Sequence, residues 1–365
     1  MKSIAHVGMD VHAGQFRMAI LPEGARDFLD ERTVARDEAR VLKYLQRYEE
    51  EFELHCYYEA GCLGYVPHRW LTEAGIDCTV VPPAEVPRAP GDRVRTDPKD
   101  ARRLAQQGRA GTLPAVYVPT HEWEGGRSVV RWRIVQSRQL LAARCRANGL
   151  LLSRGLRYEP GKTRWTKPHW QWLRQLEKES PQLEPLERQL LGEQLAAVEY
   201  HTDRLAEADR WVRELAARPL YAEAVGKLAC FRGIDVLAAM VILTETIDFR
   251  RFGSAEQYMS FCGLTSSEES SGSKRRQGAI TKAGQEALRW MMVEVAWSYR
   301  YRPAISQALR ERQMCQPAAV IAHAWKAQRR LNRLYKKLAY RKGASTAVVA
   351  VARELSGFLW AVMVQ

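Results

Sequence analysis

The chain has 365 residues, enough for two or three domains with sizeable apolar cores. It carries 56 Lys and Arg against 42 Asp and Glu, a net charge of +14 with clustered basic residues. A clustered surplus favours a polyanionic partner, of which nucleic acid is the commonest, over a merely solubilising surface. No apolar run reaches the length of a bilayer span and the N-terminus lacks the layout of a signal peptide. We therefore expect no membrane partner and a cytoplasmic location.

The first 120 residues are predicted to form an α/β domain. Apolar runs predict a strand hairpin within residues 4–21, a strand near residues 33–35, one that ends at Glu59 and one around Val80. Amphipathic segments between them predict helices over residues 37–50 and 64–74, and a further helix from Asp97. This order predicts a mixed sheet flanked by helices, which an RNase H-like fold would satisfy.

Four carboxylates in this domain lie where a strand ends or a helix starts: Asp10, Glu59, Asp97 and Asp100. Sites in such sheets commonly form at strand ends, and residues three apart on a helix share a face. Oxygen ligands without a nearby Cys or His favour Mg²⁺ or Mn²⁺ over zinc. Each acid also has a structural explanation. Asp97, as an N-cap before Pro98, suits a helix start, and the strand-end acids could simply face water.

Residues 121–220 are predicted to be helical and highly charged. One long helix, which Asn148-Gly149 could interrupt, carries the arginines at 127, 131, 133, 138, 144 and 146, including the candidate nucleic-acid contacts Arg131 and Arg133. The stretch RWTKPHWQWLR interleaves cations with aromatic residues, beginning with Arg164 and Trp165. Aromatics among cations suit stacking on unpaired bases, but these tryptophans could equally be core anchors. Apolar residues from Leu191 to Leu215 keep a coiled-coil spacing, which predicts helix pairing within the chain or between protomers.

Residues 221–365 are predicted to form a second helical unit. In LACFRGIDVLAAMVILTE, two helices flank a tight turn at Gly233. Such a hairpin can offer backbone N–H groups to phosphates, although plain helix packing explains the pattern equally well. Further on, the tail from Lys326 to Lys342 contains no acid. A helix this basic favours contact with a phosphate backbone, through Lys326, Arg329, Arg330, Arg333, Lys336 and Lys337.

The Ser- and Gly-rich segment SSEESSGSKRRQG cannot form a stable helix, so a loop is expected there. Ser270, Ser271 and Ser273 surround Gly272 and are followed at once by the cations Lys274, Arg275 and Arg276. A hydroxyl beside several cations could attack phosphorus, or the loop could only bind phosphate. The next helix is expected to open around Lys282 and Gly284, with Lys282 a further nucleic-acid contact.

Seven cysteines, an odd number, include no Cys-x-x-Cys pair. Most have apolar neighbours, so we expect reduced, buried thiols and no structural zinc site.

The motifs VGMDVH, YYEAG, RTDPKDARRLA and GLTSSEESSGSKRRQGAITKAG, with the downstream LRWMMVEVAW, occur in one order along the chain. This combination resembles the DEDD transposases of bacterial insertion sequences, a family that includes Piv-type DNA invertases and bridge-RNA-guided recombinases. The resemblance covers nearly the whole chain. It implies a RuvC-like (RNase H-like) DEDD domain over residues 1–120, a helical coiled-coil region over 121–220 and a mostly helical transposase domain over 221–365.

By position, the resemblance implies that Asp10, Glu59, Asp97 and Asp100 hold Mg²⁺ or Mn²⁺. It also implies that the serine before the glycine, Ser271, is the nucleophile, with Ser270 as the nearest alternative because the serine is doubled. Two departures stand out. The family usually has proline at Ser266, and it usually has Pro-Gly-Ile-Gly where this chain has residues 232–235. The second departure weakens the case for a hairpin that grips DNA through its backbone.

The implied activity is DNA strand cleavage and exchange through a 5′-phosphoserine intermediate, in a bacterial protein that associates with the nucleoid when bound to DNA. The implied partners are donor and target DNA, a structured noncoding RNA, and further copies of the chain in a dimer or tetramer. Two other classes remain open. The first is a metal-dependent Holliday-junction-type nuclease, or an invertase without a guide RNA. The second is a non-catalytic nucleic-acid-binding protein.

Overall fold

The structure, a computed structural model, describes residues 2–83, 86, 96–159, 162–271 and 274–365, with the backbone alone at residues 269–271 and 274–277. The described residues fall into two compact units, Met1–Pro119 and Thr120–Gln365.

The first unit contains a five-stranded mixed sheet in the order β3-β2-β1-β4-β5. The central strand β1 pairs antiparallel with β2 and parallel with β4, while β3 extends the antiparallel side and β5 the parallel side. The hairpin and the later strands therefore follow the predicted order. The bounds are β1 Ser3–Val11, β2 Gln15–Pro22, β3 Asp30–Ala35, β4 Phe52–Glu59 and β5 Asp77–Val81.

Helices cover both faces of this sheet. One face buries Val7 and Cys56 in a core shared with Leu45 and Leu71, which belong to the helices α1 (Glu38–Glu49) and α2 (Val66–Glu73). The other face carries Tyr57 and packs against Leu104 of α3 (Asp97–Arg109). Because side chains alternate between the faces of a strand, neighbouring residues of β4 serve different helices. The predicted α/β architecture is confirmed.

Among its described residues, the second unit is helical apart from one β-hairpin. Its helices are α4 His121–Ser153, α5 Lys167–Glu179, α6 Pro185–Ala216, α7 Pro219–Ala229, α8 Val236–Thr246, α9 Ala255–Phe261, α10 Glu286–Ala296, α11 Gln307–Gln313, α12 Ala318–Lys342 and α13 Ala344–Met363. The hairpin consists of β6 Ser266–Ser271 and β7 Lys274–Ile280. The expectation of a loop at the serine segment is therefore wrong, since its backbone forms two paired strands.

The long helices α4 and α6 pack against each other within this unit. Leu191 and Leu195 of α6 are buried with Ala147 and Leu151 of α4. The expected interruption at Asn148-Gly149 does not occur: α4 runs through it because Ala147 and Leu151, one helical turn apart, bury the same face. The predicted helix pairing takes place inside the chain.

The turn at Gly233 was also expected. Gly233 has φ +82°, in the left-handed region that favours glycine, and joins α7 to α8. Asp235 is the N-cap of α8, and its carboxylate accepts from the N–H of Ala238 at 2.8 Å. A carboxylate at this position repels phosphate, so the geometry supports the packing alternative for this hairpin.

By length and composition, α13 is apolar enough to cross a membrane, which corrects the expectation that no such run exists. Half of it is buried, however, and Val351, Leu355 and Leu359 lie in the core of the second unit. This burial is typical of a core helix.

Candidate metal centre and serine hairpin

The carboxylates of the first unit gather where β1 and β4 end. Met9 pairs with Tyr58 in the parallel register, so the residues that follow them, Asp10 and Glu59, lie side by side at the carboxyl edge of the sheet. Residues in register on parallel strands share a face, and residues two apart on one strand share it too. Asp10 and Glu59 therefore lie on the face that carries Gly8 and Tyr57, which α3 covers.

Gly8 allows α3 to lie directly on the strand. A Cβ at Gly8 would stand 1.9 Å from the carbonyl oxygen of Ala101 and 2.5 Å from the amide nitrogen of Ala105, both in the α3 backbone. On the helix side, a Cβ at Gly108 would stand 2.3 Å from the ring of Tyr57. Only glycine permits such approaches. They seat α3 with its first turn, and thus Asp97 and Asp100, beside the end of β1.

The side chains of Asp10, His12 and Asp97 form the centre of this cluster, with one ligand atom of each within 4.8 Å of the other two. His12 Nε2 lies 3.2 Å from Asp10 Oδ2 and 3.6 Å from Asp97 Oδ1. Asp10 is about one-fifth exposed and Asp97 about half exposed. Asp100, one turn further along α3, forms an ion pair with Arg103. The cluster can therefore offer carboxylate oxygens and one imidazole nitrogen to a cation.

The electrostatics of Asp10 are those of a crowded acid. Burial raises its pKa, and the nearby carboxylates of Asp97 and Asp100 raise it further, while His12 acts in the opposite direction. A divalent cation would offset both effects that raise this pKa, because it replaces the hydration lost on burial and neutralises the neighbouring negative charges. The donor set thus fits a hard divalent metal ion, with carboxylates as its principal ligands.

Two expectations about this site are wrong. A histidine does lie close to the acids, because His12 follows directly on β1 two residues after Asp10. Asp97 is the first residue of α3 and not its N-cap, which is Thr96. Sequence reasoning also missed Gly8, although a glycine inside a strand is a signal of close backbone approach.

In the second unit, Ser271 is the last residue of β6. It pairs with Lys274, the first residue of β7, and Ser270 pairs with Arg275. Gly272 and Ser273, and the side chains of Ser270, Ser271, Lys274, Arg275 and Arg276, lie outside the described residues. The backbone register nevertheless puts Ser271 and the basic residues at the turn end of the hairpin.

The base of this hairpin is tightly anchored. Gly263 and Gly284 both have positive φ, and a Cβ on either would stand about 2 Å from a carbonyl oxygen of the opposite segment (2.0 Å from Ala283 and 2.1 Å from Phe261). Arg289 of α10 donates to the carbonyl oxygens of Lys282 and Ala283 at 3.0 and 3.4 Å. Lys282 and Gly284 thus lie in the anchoring turn, just before α10 begins at Glu286.

The candidate nucleic-acid contacts differ in their surroundings. Arg131 donates to both carboxylate oxygens of the buried Glu245 at 2.7 and 2.8 Å, and Arg133 binds Asp209 at 2.7 Å. These pairs account for the two arginines as links between helices. Trp165 is partly buried against the core around Leu173, with the guanidinium of Arg144 5.2 Å from its ring centroid, which supports the core interpretation of the tryptophans. Arg164 and the basic residues of α12 are exposed.

Carboxylates clustered at the edge of a mixed sheet, in a chain with a strongly basic helical unit, are typical of enzymes that act on nucleic acids with a divalent metal. Comparison with known proteins agrees. Residues 7–153 match a DEDD transposase model of the IS110 group, and residues 226–310 match the model described as transposase, IS116/IS110/IS902 family.

Two full-length relatives are similar to the chain. A putative transposase of Sinorhizobium fredii is 37% identical over 98% of this chain and 88% of its own length. The transposase for the insertion sequence element IS1533 of Leptospira borgpetersenii is 30% identical over 93% of this chain and 97% of its own length. The chain belongs to the IS110 family of DEDD transposases of bacterial insertion sequences. It is a DNA transposase, and its DEDD domain implies the use of a divalent metal.

Proposed function

We propose that this transposase cuts and rejoins DNA through a serine nucleophile, Ser271, assisted by a divalent metal in the acid cluster. The observation that carries the proposal is the cluster itself, in which Asp10 and Asp97 converge although 86 positions separate them along the chain. The hairpin adds support, because its register puts Ser271 at the turn end beside basic residues. Ser270 is the alternative nucleophile.

The metal would be Mg²⁺ or Mn²⁺, held by Asp10, Asp97, Glu59 and Asp100, with His12 beside the first two acids. When bound, it would neutralise the phosphate and polarise the attacking or leaving oxygen. Asp10 holds this position because its strand and α3 are locked together at Gly8. Lys274, Arg275 and Arg276 would offset the negative charge that develops on the phosphate oxygens.

The exchange balances bond for bond. The Oγ of Ser271 bonds to phosphorus, the bond from phosphorus to the 3′ oxygen breaks, and the 5′ end of the DNA stays on the protein as a phosphoserine. The serine loses its proton and the departing 3′ oxygen gains one. A 3′-hydroxyl of another strand then attacks the same phosphorus and restores the serine. Each step replaces one phosphate ester with another, so no external energy source is needed.

The sheet order, an antiparallel hairpin extended by two parallel strands, supports an RNase H-like, RuvC-like fold for the first unit. Recombining two duplexes requires several active sites, so we propose a dimer or tetramer held together by contacts between protomers. Exposed apolar residues on the paired helices support such a contact: Leu141 and Leu152 on α4, and Leu186, Leu190 and Tyr200 on α6. A structured noncoding RNA would supply sequence specificity by base pairing.

The test is to trap the covalent intermediate. The protein is incubated with Mg²⁺ and a supercoiled plasmid that carries the genomic flanks of its gene, with and without RNA transcribed from those flanks, and is then denatured in detergent. Wild type and Ser270→Ala should retain DNA-linked protein. Ser271→Ala should lose it, as should Asp10→Asn, because activation of the serine then fails.

The competing candidate is a junction nuclease in which the same acids activate water. No DNA-linked protein from wild type, together with full cleavage by Ser271→Ala, would overturn the serine mechanism in favour of that nuclease. A dependence of strand exchange on the added RNA would support guided transposition, and exchange without it would support an invertase. If Asp10→Ala left every DNA transaction intact, the acids would be structural.

A further inference from the structure

The helix α12 has two sharply different faces. One face is buried in the core of the second unit and includes Ala324, Ala327 and Leu331. The opposite face is exposed along its whole length and carries a row of cations. Steps of three and four residues connect its members, so they lie on one side of the helix. We call this row the basic-aromatic stripe: Trp325, Lys326, Arg329, Arg330, Arg333, Lys336, Lys337 and Tyr340.

The charge of the stripe has almost no internal compensation. No acid occurs between Ala318 and Lys342. Among the residues that the structure describes, Arg330 alone of the stripe forms an ion pair, with Glu354 of α13. Cations packed this closely repel one another, and only a polyanion can compensate them along the whole row. The stripe thus has the electrostatic footprint of a bound phosphate backbone.

Two exposed aromatic side chains distinguish the stripe from a simple basic patch. Trp325 is 37% exposed, and its ring lines a shallow cleft of about 270 Å³ together with Lys326, Arg329, Arg330 and Arg333. Tyr340 is 95% exposed near the other end. At 1.5 Å per residue the two lie about 22 Å apart along the helix, room for about six phosphates of a stacked strand. Large exposed rings cost free energy in water, so an exposed aromatic ring at each end of a cationic row points to a stacking partner.

The end of α12 lies beside the base of the serine hairpin. A second cleft, of about 480 Å³, lies between the C-terminal end of α12 and the base of the hairpin. Leu338 and Lys342 line it on the α12 side, Ser266 and Ile280 on the hairpin side, and Arg353 on α13. Leu338 and Lys342 continue the side of α12 that buries Ala327 and Leu331, so this cleft and the stripe lie on different sides of the helix.

We propose that the basic-aromatic stripe binds an unpaired nucleic-acid strand, with its phosphates on the cations and its bases stacked on Trp325 and Tyr340. A duplex hides the faces of its bases, so it could satisfy the cations but not the rings. The inference rests on the proposed function only in assigning the strand to the transposition reaction. The binding itself needs neither metal nor serine.

The experiment measures the binding of labelled oligonucleotides to the full-length Asp10→Asn protein in EDTA, so that cleavage cannot interfere. The probes are oligo-dT and oligo-U of about 20 nucleotides and a DNA duplex of the same length. Trp325→Ala with Tyr340→Ala removes two stacking rings, and it should weaken single-strand binding by at least about 30-fold and leave duplex binding unchanged. With Phe instead of Ala at position 325 (Trp325→Phe), most of the affinity for single strands that Trp325→Ala removes should remain. Trp290→Ala, which removes a 38% exposed tryptophan from α10, is the matched control and should bind like the parent. The dT and U probes show whether the strand is DNA or RNA.

Salt dependence separates the two kinds of contact. Replacing Arg329 and Arg333 with Gln should reduce the slope of log affinity against log salt by about 0.7 per cation, whereas Trp325→Ala should leave the slope unchanged. Equal losses for duplex and single strand, unchanged binding by the aromatic variants, or a preference for anionic lipid vesicles would each overturn the proposal. Single-strand binding that depends on the stripe, without any DNA-linked protein, would refute the serine mechanism but not the binding role of the stripe. DNA-linked protein without such binding would refute the binding role of the stripe alone.

Discussion

Gly8→Ala is the substitution that most directly tests how the fold builds the acid cluster. The new Cβ would stand 1.9 Å from the carbonyl oxygen of Ala101, and it needs 3.4 Å for an ordinary contact. The α3 backbone must therefore move by about 1.5 Å, because neither contacting atom belongs to a side chain that can rotate away. Overpacking of this kind costs about 1–3 kcal/mol, and backbone partners put the cost at the upper end.

The same displacement would carry Asp97 and Asp100 away from Asp10. A shift of about 1 Å in a catalytic group can cost on the order of 100-fold in rate. We expect Gly8→Ala to lower the urea midpoint and to weaken Mg²⁺-dependent DNA cleavage by at least that factor. The matched control is Gly14→Ala in the β1–β2 turn, where a Cβ would meet nothing within 4 Å, and it should behave as wild type. Wild-type stability and cleavage in Gly8→Ala would refute the role assigned to the close approach.

Three further predictions concern charge and burial. Because the pKa of Asp10 is raised, folding disfavours its charged form. The stability that the protonated carboxyl contributes is therefore lost as the pH rises through the folded-state pKa. Asp10→Asn should therefore raise the denaturant midpoint at pH 7 in EDTA, and the gain should shrink as the pH falls towards 3.8, the ordinary pKa of the group. The same variant should abolish stabilisation by Mg²⁺. A lower midpoint than wild type in EDTA would contradict this reasoning. Arg131→Met leaves the carboxylate of Glu245 buried without its partner and should cost about 3–5 kcal/mol in urea unfolding, partly recovered by adding Glu245→Gln; equal losses in both variants would argue against the pair. In a thiol titration the native protein should react rapidly at its three exposed cysteines and at all seven only after unfolding, the rapid ones being Cys62, Cys145 and Cys315.

Local sequence signals predicted most elements of the fold. The succession of strands along the first unit and the turn at Gly233 follow from apolar periodicity and glycine position, which act over a few residues. The same reasoning failed at the serine segment, where pairing with β7 makes a strand of a run whose own preference is for a loop. It failed again at Asn148-Gly149, because burial of Ala147 and Leu151 against α6 outweighs the weak helix preference of those two residues.

The sequence by itself determined the class of protein, since the acids and the motifs around them occur along the chain in the order typical of the DEDD transposases. It also determined which helices would be amphipathic. Tertiary structure alone decided that Asp97 joins Asp10 and His12 and that α3 sits on Gly8, because both depend on the distance between backbones that meet only after folding. It likewise decided which basic side chains form ion pairs with carboxylates of the protein, as Arg131 does with Glu245, and which have no such pair among the described residues, as most do along α12. Charge can be counted in a sequence, but the partner of each charge is set by packing.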